Sequence, residues 1–199
     1  MTESATGLRE RRKADTLARM KSTARHLTAE RGLGGFTIDE LCAEVDVSRR
    51  TFFNSFSSQE NAVLGLPAHL DTTELNEAFV AGASTDRALL DDFADLQLAR
   101  WELFELSPTD GADVAAAIER EPRLLSHILA LSAEGAREDI ALIRRREGLA
   151  ASDIRAAAVV HFLGTVFRLS TEQYFSGASG ETFRQIFQRH LAVFRAIAA

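Results

Sequence analysis

The chain has 199 residues, 46% of them apolar and 26% charged, and a formal net charge of −6. That length is enough for one sizeable core or for a small domain beside a larger one, and the composition is that of an ordinary globular protein. We expect neither a membrane span nor a secretory signal, because no long uncharged apolar window and no apolar N-terminal segment occurs. The single cysteine, Cys42, cannot form an intramolecular disulfide, which is typical of the reducing cytoplasm.

The charge is unevenly distributed. Residues 1–56 carry ten Arg or Lys and eight Asp or Glu, a net charge of +2, whereas residues 57–199 carry 13 and 21, a net charge of −8. The N-terminal part is therefore the end suited to a polyanion, and the acidic remainder would be repelled by it. Only three prolines occur and strand-like alternation is absent, so we expect an all-α protein.

The first predicted helix opens at a basic run, after residues 1–8, which show no packing pattern and which we expect to be disordered. The run comprises Arg9, Arg11, Arg12 and Lys13. It indicates either phosphate contacts or a solvated helix end. An apolar stripe of Leu17, Met20, Ala24 and Leu27 follows at helical spacing, and Gly32 is predicted to end the helix.

Residues 37–56 read as two short helices separated by a turn. Thr37 followed by Glu40 is a capping-box signal for the first helix, and Ser48 caps the second. Phe52 and Phe56 lie four residues apart and would anchor the second helix inward. Arg49, Arg50, Thr51 and Asn54 then face outward, and such a helix fits the major groove of DNA.

A fourth helix is predicted from the cap at Ser57 and Ser58, running towards Pro67. Further helices are expected over residues 70–80, 86–106 and 112–120, with a break from Ser107 to Gly111. Asp86 would cap the second of these. Pro122 suits the first turn of a helix towards Gly148, and two strongly apolar helices close the chain, over residues 152–174 and 183–197. About nine helices are expected in all.

The motifs between residues 13 and 66 resemble the TetR family of transcriptional regulators. The matching positions are Ala29, Glu30, Arg31, Gly32, Thr37, Ile38, Leu41, Val47, Ser48, Thr51, Phe52, Phe53, Phe56, Ser58 and Glu60. Several positions depart from the family's pattern: Asp46 stands where Gly is usual, Phe53 replaces Tyr, Ser55 replaces His or Tyr, Gln59 replaces Lys and Thr28 replaces Phe. These departures remove several possible contacts with the DNA backbone.

The resemblance implies a helix-turn-helix domain over residues 1–66 and a larger helical domain for dimerisation and effector binding over residues 67–199. Double-stranded DNA is the implied partner. The candidate DNA contacts are Arg11, Arg12, Lys13, Thr37, Ser48, Arg49, Arg50, Thr51, Phe53, Asn54, Ser55 and Gln59. The basic run at residues 9–13 is read as phosphate contact, because the helix-turn-helix follows it directly.

The resemblance further implies a homodimer and a possible small apolar effector. Among the helices of residues 86–106, 122–148 and 152–174, the candidate effector contacts are Trp101, Phe104, Leu131 and Phe162. The candidate dimer contacts are Val159, Phe167, Phe183, Phe187, Leu191 and Phe194. An apolar stripe of this kind equally fits an ordinary intrachain core, and the two interpretations stay open.

No catalytic, cofactor or metal site is predicted. The histidines show no metal-ligand spacing, and neither a phosphate-cradling Gly-rich loop nor a nucleophile elbow occurs. The favoured function is a ligand-responsive repressor. Two alternatives remain: a DNA-binding regulator controlled by a protein partner, and a helical enzyme whose helix-turn-helix resemblance is accidental.

Overall fold

The structure is a computed structural model that describes residues 3–82, 88–104, 106–177 and 180–198. Within these ranges the chain forms ten α-helices and a short 3₁₀ turn at Leu33–Gly35, without a strand, which confirms the all-α class. The helices are α1 (Glu3–Arg31), α2 (Ile38–Val45), α3 (Arg49–Ser55), α4 (Gln59–Leu64), α5 (Thr73–Ala81), α6 (Leu89–Glu102), α7 (Pro108–Arg120), α8 (Arg123–Glu147), α9 (Arg155–Phe175) and α10 (Phe183–Ala198).

The N-terminal helices begin and end where their capping residues place them. The Thr37 side chain accepts from the Glu40 amide while the Glu40 carboxylate accepts from the Thr37 amide, which confirms the capping box of α2. Ser48 and Ser58 cap α3 and α4 in the same way, by accepting from the amides of Thr51 and Asn61. Each cap satisfies a backbone donor that the first helical turn leaves without a partner.

The starts of α1 and α7 differ from the sequence expectation. Helix α1 begins at Glu3, so the basic run lies within the helix and does not open it. Helix α7 begins at Pro108, within the expected break from Ser107 to Gly111. Its start has a physical cause, because the Asp110 carboxylate accepts from both the amide and the hydroxyl of Ser107, and a proline fits the first helical position.

The segment after α4 is not helical. Helix α4 ends at Gly65, whose φ of 75° is left-handed, and Pro67 follows two residues later. The chain becomes helical again only at Thr73, the start of α5. Helix α6 runs from Leu89 to Glu102, and its expected cap, Asp86, lies outside the described residues.

The structure divides into two compact units. The first comprises Met1–Leu70 and Asp113–His127. In it, α1 packs against α2 and α4. Its buried apolar side chains are Met20, Ala24, Leu27, Leu33, Phe36, Leu41, Cys42, Val45, Phe52, Phe56, Ala62, Val63, Leu64, Ala117 and Leu124. The sequence boundary at residue 66 would assign residues 113–127 to the other domain.

The second unit comprises Asp71–Ala112 and Ile128–Ala199. Helix α10 packs along α9, and their inward faces join α5 and α6 in one apolar cluster. Two buried charges are held within it. Asp139 accepts from Gln97 at 2.7 Å and from Arg100 at 2.6 Å, and Arg146 pairs with Asp92 over the ring of Phe79. No helix in the described ranges is both long and apolar enough to span a membrane.

Candidate nucleic-acid interface and effector cavity

The turn between α2 and α3 takes the backbone through a left-handed conformation at Asp46, with φ 58° and ψ 54°. Of the described residues, Asp46 is the one non-glycine with a positive φ. Aspartate tolerates this region better than most residues, so the turn forms although the glycine usual for the resembled family is absent. The guanidinium of Arg19, on α1, donates to the carbonyl of Val45 at 2.7 Å and so fixes the end of α2 beside this turn.

Helix α3 has one buried side and one exposed side. Phe52 and Phe56 are fully buried, with ring centroids 5.9 Å apart, and they anchor the helix to the first unit. Arg49, Arg50 and Asn54 are exposed on the other side. Arg50 and Asn54 make no hydrogen bond within the described part of the chain, so their donors and acceptors are available to a base edge.

Other candidate DNA contacts on α3 and its cap are held by local hydrogen bonds. The hydroxyls of Ser48 and Thr51 are 2.9 Å apart, and the Ser55 hydroxyl donates to the Thr51 carbonyl. Arg49 is paired with Asp39 on α2 and lies over the ring of Phe53, which is 41% exposed. These bonds fix the side chains in place before any partner is bound.

The remaining candidate DNA contacts lie on α1 and at the starts of α2 and α4. Arg11, Arg12 and Lys13 are exposed on α1. Thr37 is the exposed cap of α2. The Gln59 amide donates to the Phe36 carbonyl at 2.9 Å, so Gln59 ties the start of α4 to the chain before α2.

The sequence model of the family described as "Bacterial regulatory proteins, tetR family" matches residues 22–63. That range contains α2, the turn at Asp46 and α3. The helix-turn-helix of this chain is therefore of the TetR-family type. The chain is similar to the HTH-type transcriptional regulator TcmR of Streptomyces glaucescens, with 28% identity over 180 residues, which is 87% of this chain and 79% of TcmR. The TetR-family match supports a DNA-binding transcriptional regulator, a class of protein that is not an enzyme.

Residues from the middle of the chain belong to the same compact unit as the TetR-family helix-turn-helix. Glu121 accepts from the Leu33 amide at 3.3 Å, and its carboxylate oxygen would lie 2.5 Å from a Cβ at Gly32. His127 Nε2 lies 2.7 Å from the side-chain oxygen of Asn61, whose amide nitrogen donates to Ser57. Sequence reasoning missed these contacts, because residues 88 and 66 positions apart in the sequence leave no periodic signal.

A further polar contact of the first unit involves α1. Arg25 is buried and donates to the Val63 carbonyl at 2.8 Å, and its guanidinium lies 3.9 Å from the carboxylate of Asp113. Asp113, Glu121 and His127 therefore all contact residues of α1, α4 or the turn after α1. The DNA-binding unit is built from two separate stretches of sequence.

In the second unit a cavity of about 410 Å³ lies beside an aromatic cluster. Trp101 stacks on Phe183, with ring centroids 4.0 Å apart, and meets Tyr174 edge-on. Burial raises the pKa of the Tyr174 phenol, whose hydroxyl donates to the Leu106 carbonyl. The lining residues are Leu98, Trp101, Glu102, Leu106, Pro108, Tyr174, Gly180, Glu181, Thr182, Phe183 and Arg184.

The predicted effector residues are not all brought together. Trp101 lines this cavity. The ring centroid of Phe104 lies 6.4 Å from that of Trp101. Leu131 is instead exposed on α8. Phe162 is half-buried and contacts the ring of Phe194, at 5.7 Å. The structure thus separates Leu131 and Phe162 from the cavity that Trp101 lines.

The predicted dimer residues fall into two groups. Phe183, Phe187 and Leu191 are buried in the chain's own core, at 3%, 0% and 6% exposure, so no surface of theirs is left for a second copy. Val159, Phe167 and Phe194 are partly buried at the margin of that core. The exposed apolar residues of the same region are Ile154, Val193 and Ile197.

Proposed function

We propose that the protein is a repressor that binds a palindromic operator as a homodimer and is released by a small apolar effector. The observation that carries the proposal is the exposed face of α3. There Arg50 and Asn54 are exposed, without a hydrogen bond to the described residues, on a helix whose other side is anchored by fully buried Phe52 and Phe56. A rigid helix with free donors is suited to base readout in the major groove.

A dimer is needed because a palindrome presents two half-sites about 34–36 Å apart, or a multiple of that distance. The proposed contact surface is the outward side of α9 and α10. It offers the exposed Val193 and Ile197 on α10 and small side chains such as Ala158 and Ala192, which allow two helices to approach closely. The partly buried Val159, Phe167 and Phe194 would border this surface.

The effector is proposed to occupy the cavity beside Trp101. Its volume, about 410 Å³, lies within the range usual for small-molecule sites, and its walls combine apolar rings with a few polar groups. The ion pair of Glu102 and Arg184, at 2.7 Å, is among those polar groups. An effector that prefers a conformation with a different spacing of the two copies of α3 must weaken operator binding by the same coupling free energy.

Regulation by a protein partner is the alternative. It accounts for a DNA-binding unit equally well, but it gives no role to the cavity beside Trp101. The cavity beside Trp101 therefore favours a small molecule.

The experiment has two steps. Genomic fragments that the protein retains are sequenced, and a shared inverted repeat is expected among them. Apolar compounds are then screened by the emission of Trp101, the one tryptophan of the chain, and each hit is titrated against the operator complex. A compound that changes Trp101 emission and releases DNA supports the proposal. Retained fragments that share no inverted repeat would contradict operator binding. Effector control would be contradicted if every compound that binds leaves the operator affinity unchanged at saturating concentration.

A further inference from the structure

We propose that Asp39, on α2, is a positioning residue for DNA readout, which holds Arg49 so that one edge of its guanidinium reads a guanine. Neither the sequence motif nor the contacts of α3 alone point to Asp39, because it lies on the neighbouring helix. The inference rests on the proposed DNA-binding function and on the geometry of three side chains: Asp39, Arg49 and Phe53.

The guanidinium of Arg49 is restrained from two directions. Its Nη1 atom donates to both carboxylate oxygens of Asp39, at 2.8 Å each. Its central carbon lies 5.7 Å from the centroid of the Phe53 ring, within the range of a cation–π contact. Phe53 belongs to α3 and Asp39 to α2, so the two restraints come from different helices and together limit the orientation of the guanidinium plane.

The edge formed by Nε and Nη2 of Arg49 remains available. Within the described part of the chain, these two nitrogens make no hydrogen bond. Together they present two parallel N–H donors, the arrangement that pairs with the O6 and N7 acceptors of guanine in the major groove. Arg49 is the first residue of α3, and the N-terminal residues of a recognition helix are the ones that reach base edges.

Stability and phosphate binding explain the pair less well. Both side chains are well exposed, at 58% and 64%, and exposed ion pairs contribute little to folding. A guanidinium already neutralised by a carboxylate also contributes less to the salt-dependent attraction of phosphates. Orientation of a base-reading side chain is the role that fits an exposed, doubly restrained arginine.

The proposal is tested by selecting DNA from a randomised pool with the wild type, Arg49→Ala, Asp39→Ala and Asp39→Asn. Glu44→Ala is the matched control, because it removes one exposed carboxylate from the same helix without touching Arg49. Arg49→Ala is expected to lose preference for guanine at one position of each half-site. Asp39→Ala and Asp39→Asn are expected to lose the same preference, with about tenfold weaker binding to the selected site.

The double variant Asp39→Ala with Arg49→Ala should be no worse than Arg49→Ala, because Asp39 acts only through Arg49. Glu44→Ala should keep the preference and bind all DNA somewhat more tightly. The proposal is overturned if Asp39→Ala keeps guanine at that position. It is equally overturned if Asp39→Ala merely strengthens binding to every sequence as Glu44→Ala does. Thermal unfolding of each variant identifies loss of folding, and Asp39→Asn, which preserves shape, decides the question if Asp39→Ala does not fold.

Discussion

At the scale of single residues, the DNA-binding unit is defined by backbone conformations and caps that sequence reasoning reached directly. Asp46 adopts a positive φ at the turn where the family usually has Gly. Thr37 and Glu40 form the expected capping box, and Gly32 ends α1 with a φ of 71°. These features were predictable because each depends on residues within one or two helical turns.

Replacing Asp46 tests the turn. Asp46→Gly should keep or raise the melting temperature, whereas Asp46→Val should lower stability, since a left-handed conformation costs a residue with a Cβ about 1–2 kcal/mol and a β-branched side chain more. At Glu44, an exposed helical position, the order should reverse, with glycine worse than valine. Equal stability of the two Asp46 variants in thermal melts would show that the backbone there is ordinary.

The capping box gives a pH dependence. Hydrogen bonds from the Thr37 amide and hydroxyl lower the pKa of Glu40 below its usual 4.5. A lowered pKa means that this contribution to stability is present above pH 4.5 and is lost as the pH falls through the folded-state pKa. Glu40→Gln keeps an acceptor but cannot titrate, so the difference in melting temperature between wild type and Glu40→Gln should change only on the acid side. A constant difference across that pH range would contradict the assignment.

At the scale of elements, capping and periodicity predicted most helices, but three outcomes needed the folded chain. The start of α7 depended on Ser107 and Asp110, and the sequence reading gave Gly111 the role of a break. The apolar stripe of α10 could not distinguish core from dimer contact, because both produce the same period. The structure places Phe187 in the core. The separation of Leu131 and Phe162 from Trp101 depends on how α8 and α9 are rotated, which a stripe does not specify.

Gly111 provides the test at this scale. A Cβ at this position would lie 2.4 Å from Cβ of Phe175, so the glycine allows α7 and α9 to approach closely. Gly111→Ala should therefore destabilise the protein by about 1–3 kcal/mol, as overpacking does, despite alanine's better helix propensity. Gly135→Ala, on α8 with open space around it, should instead stabilise by up to about 1 kcal/mol. Denaturant unfolding of both variants measures the contrast, and stabilisation by Gly111→Ala would contradict the contact.

At the scale of the whole molecule, the proposed function requires two copies of the chain. Placing a charge on the outward side of α10 should therefore separate them without unfolding either, since Val193 is 53% exposed in one copy. Light scattering is expected to show a dimer for the wild type and monomers for Val193→Asp with an unchanged helical spectrum. Leu129→Asp, at a 61% exposed position on α8, is the control and should remain a dimer. A monomeric wild type at micromolar concentration would contradict the proposal.

The assignment of α3 as the DNA-reading helix is tested most directly by one affinity measurement. Binding of the wild type and Arg50→Ala to the operator and to unrelated DNA is compared at one fixed salt concentration. Because it has lost a base contact, Arg50→Ala should bind the operator more weakly than the wild type by about 1–3 kcal/mol. On unrelated DNA, the two proteins should differ much less in affinity. Arg50→Ala that binds the operator as tightly as the wild type, or that loses affinity equally for both DNAs, would contradict the assignment of α3.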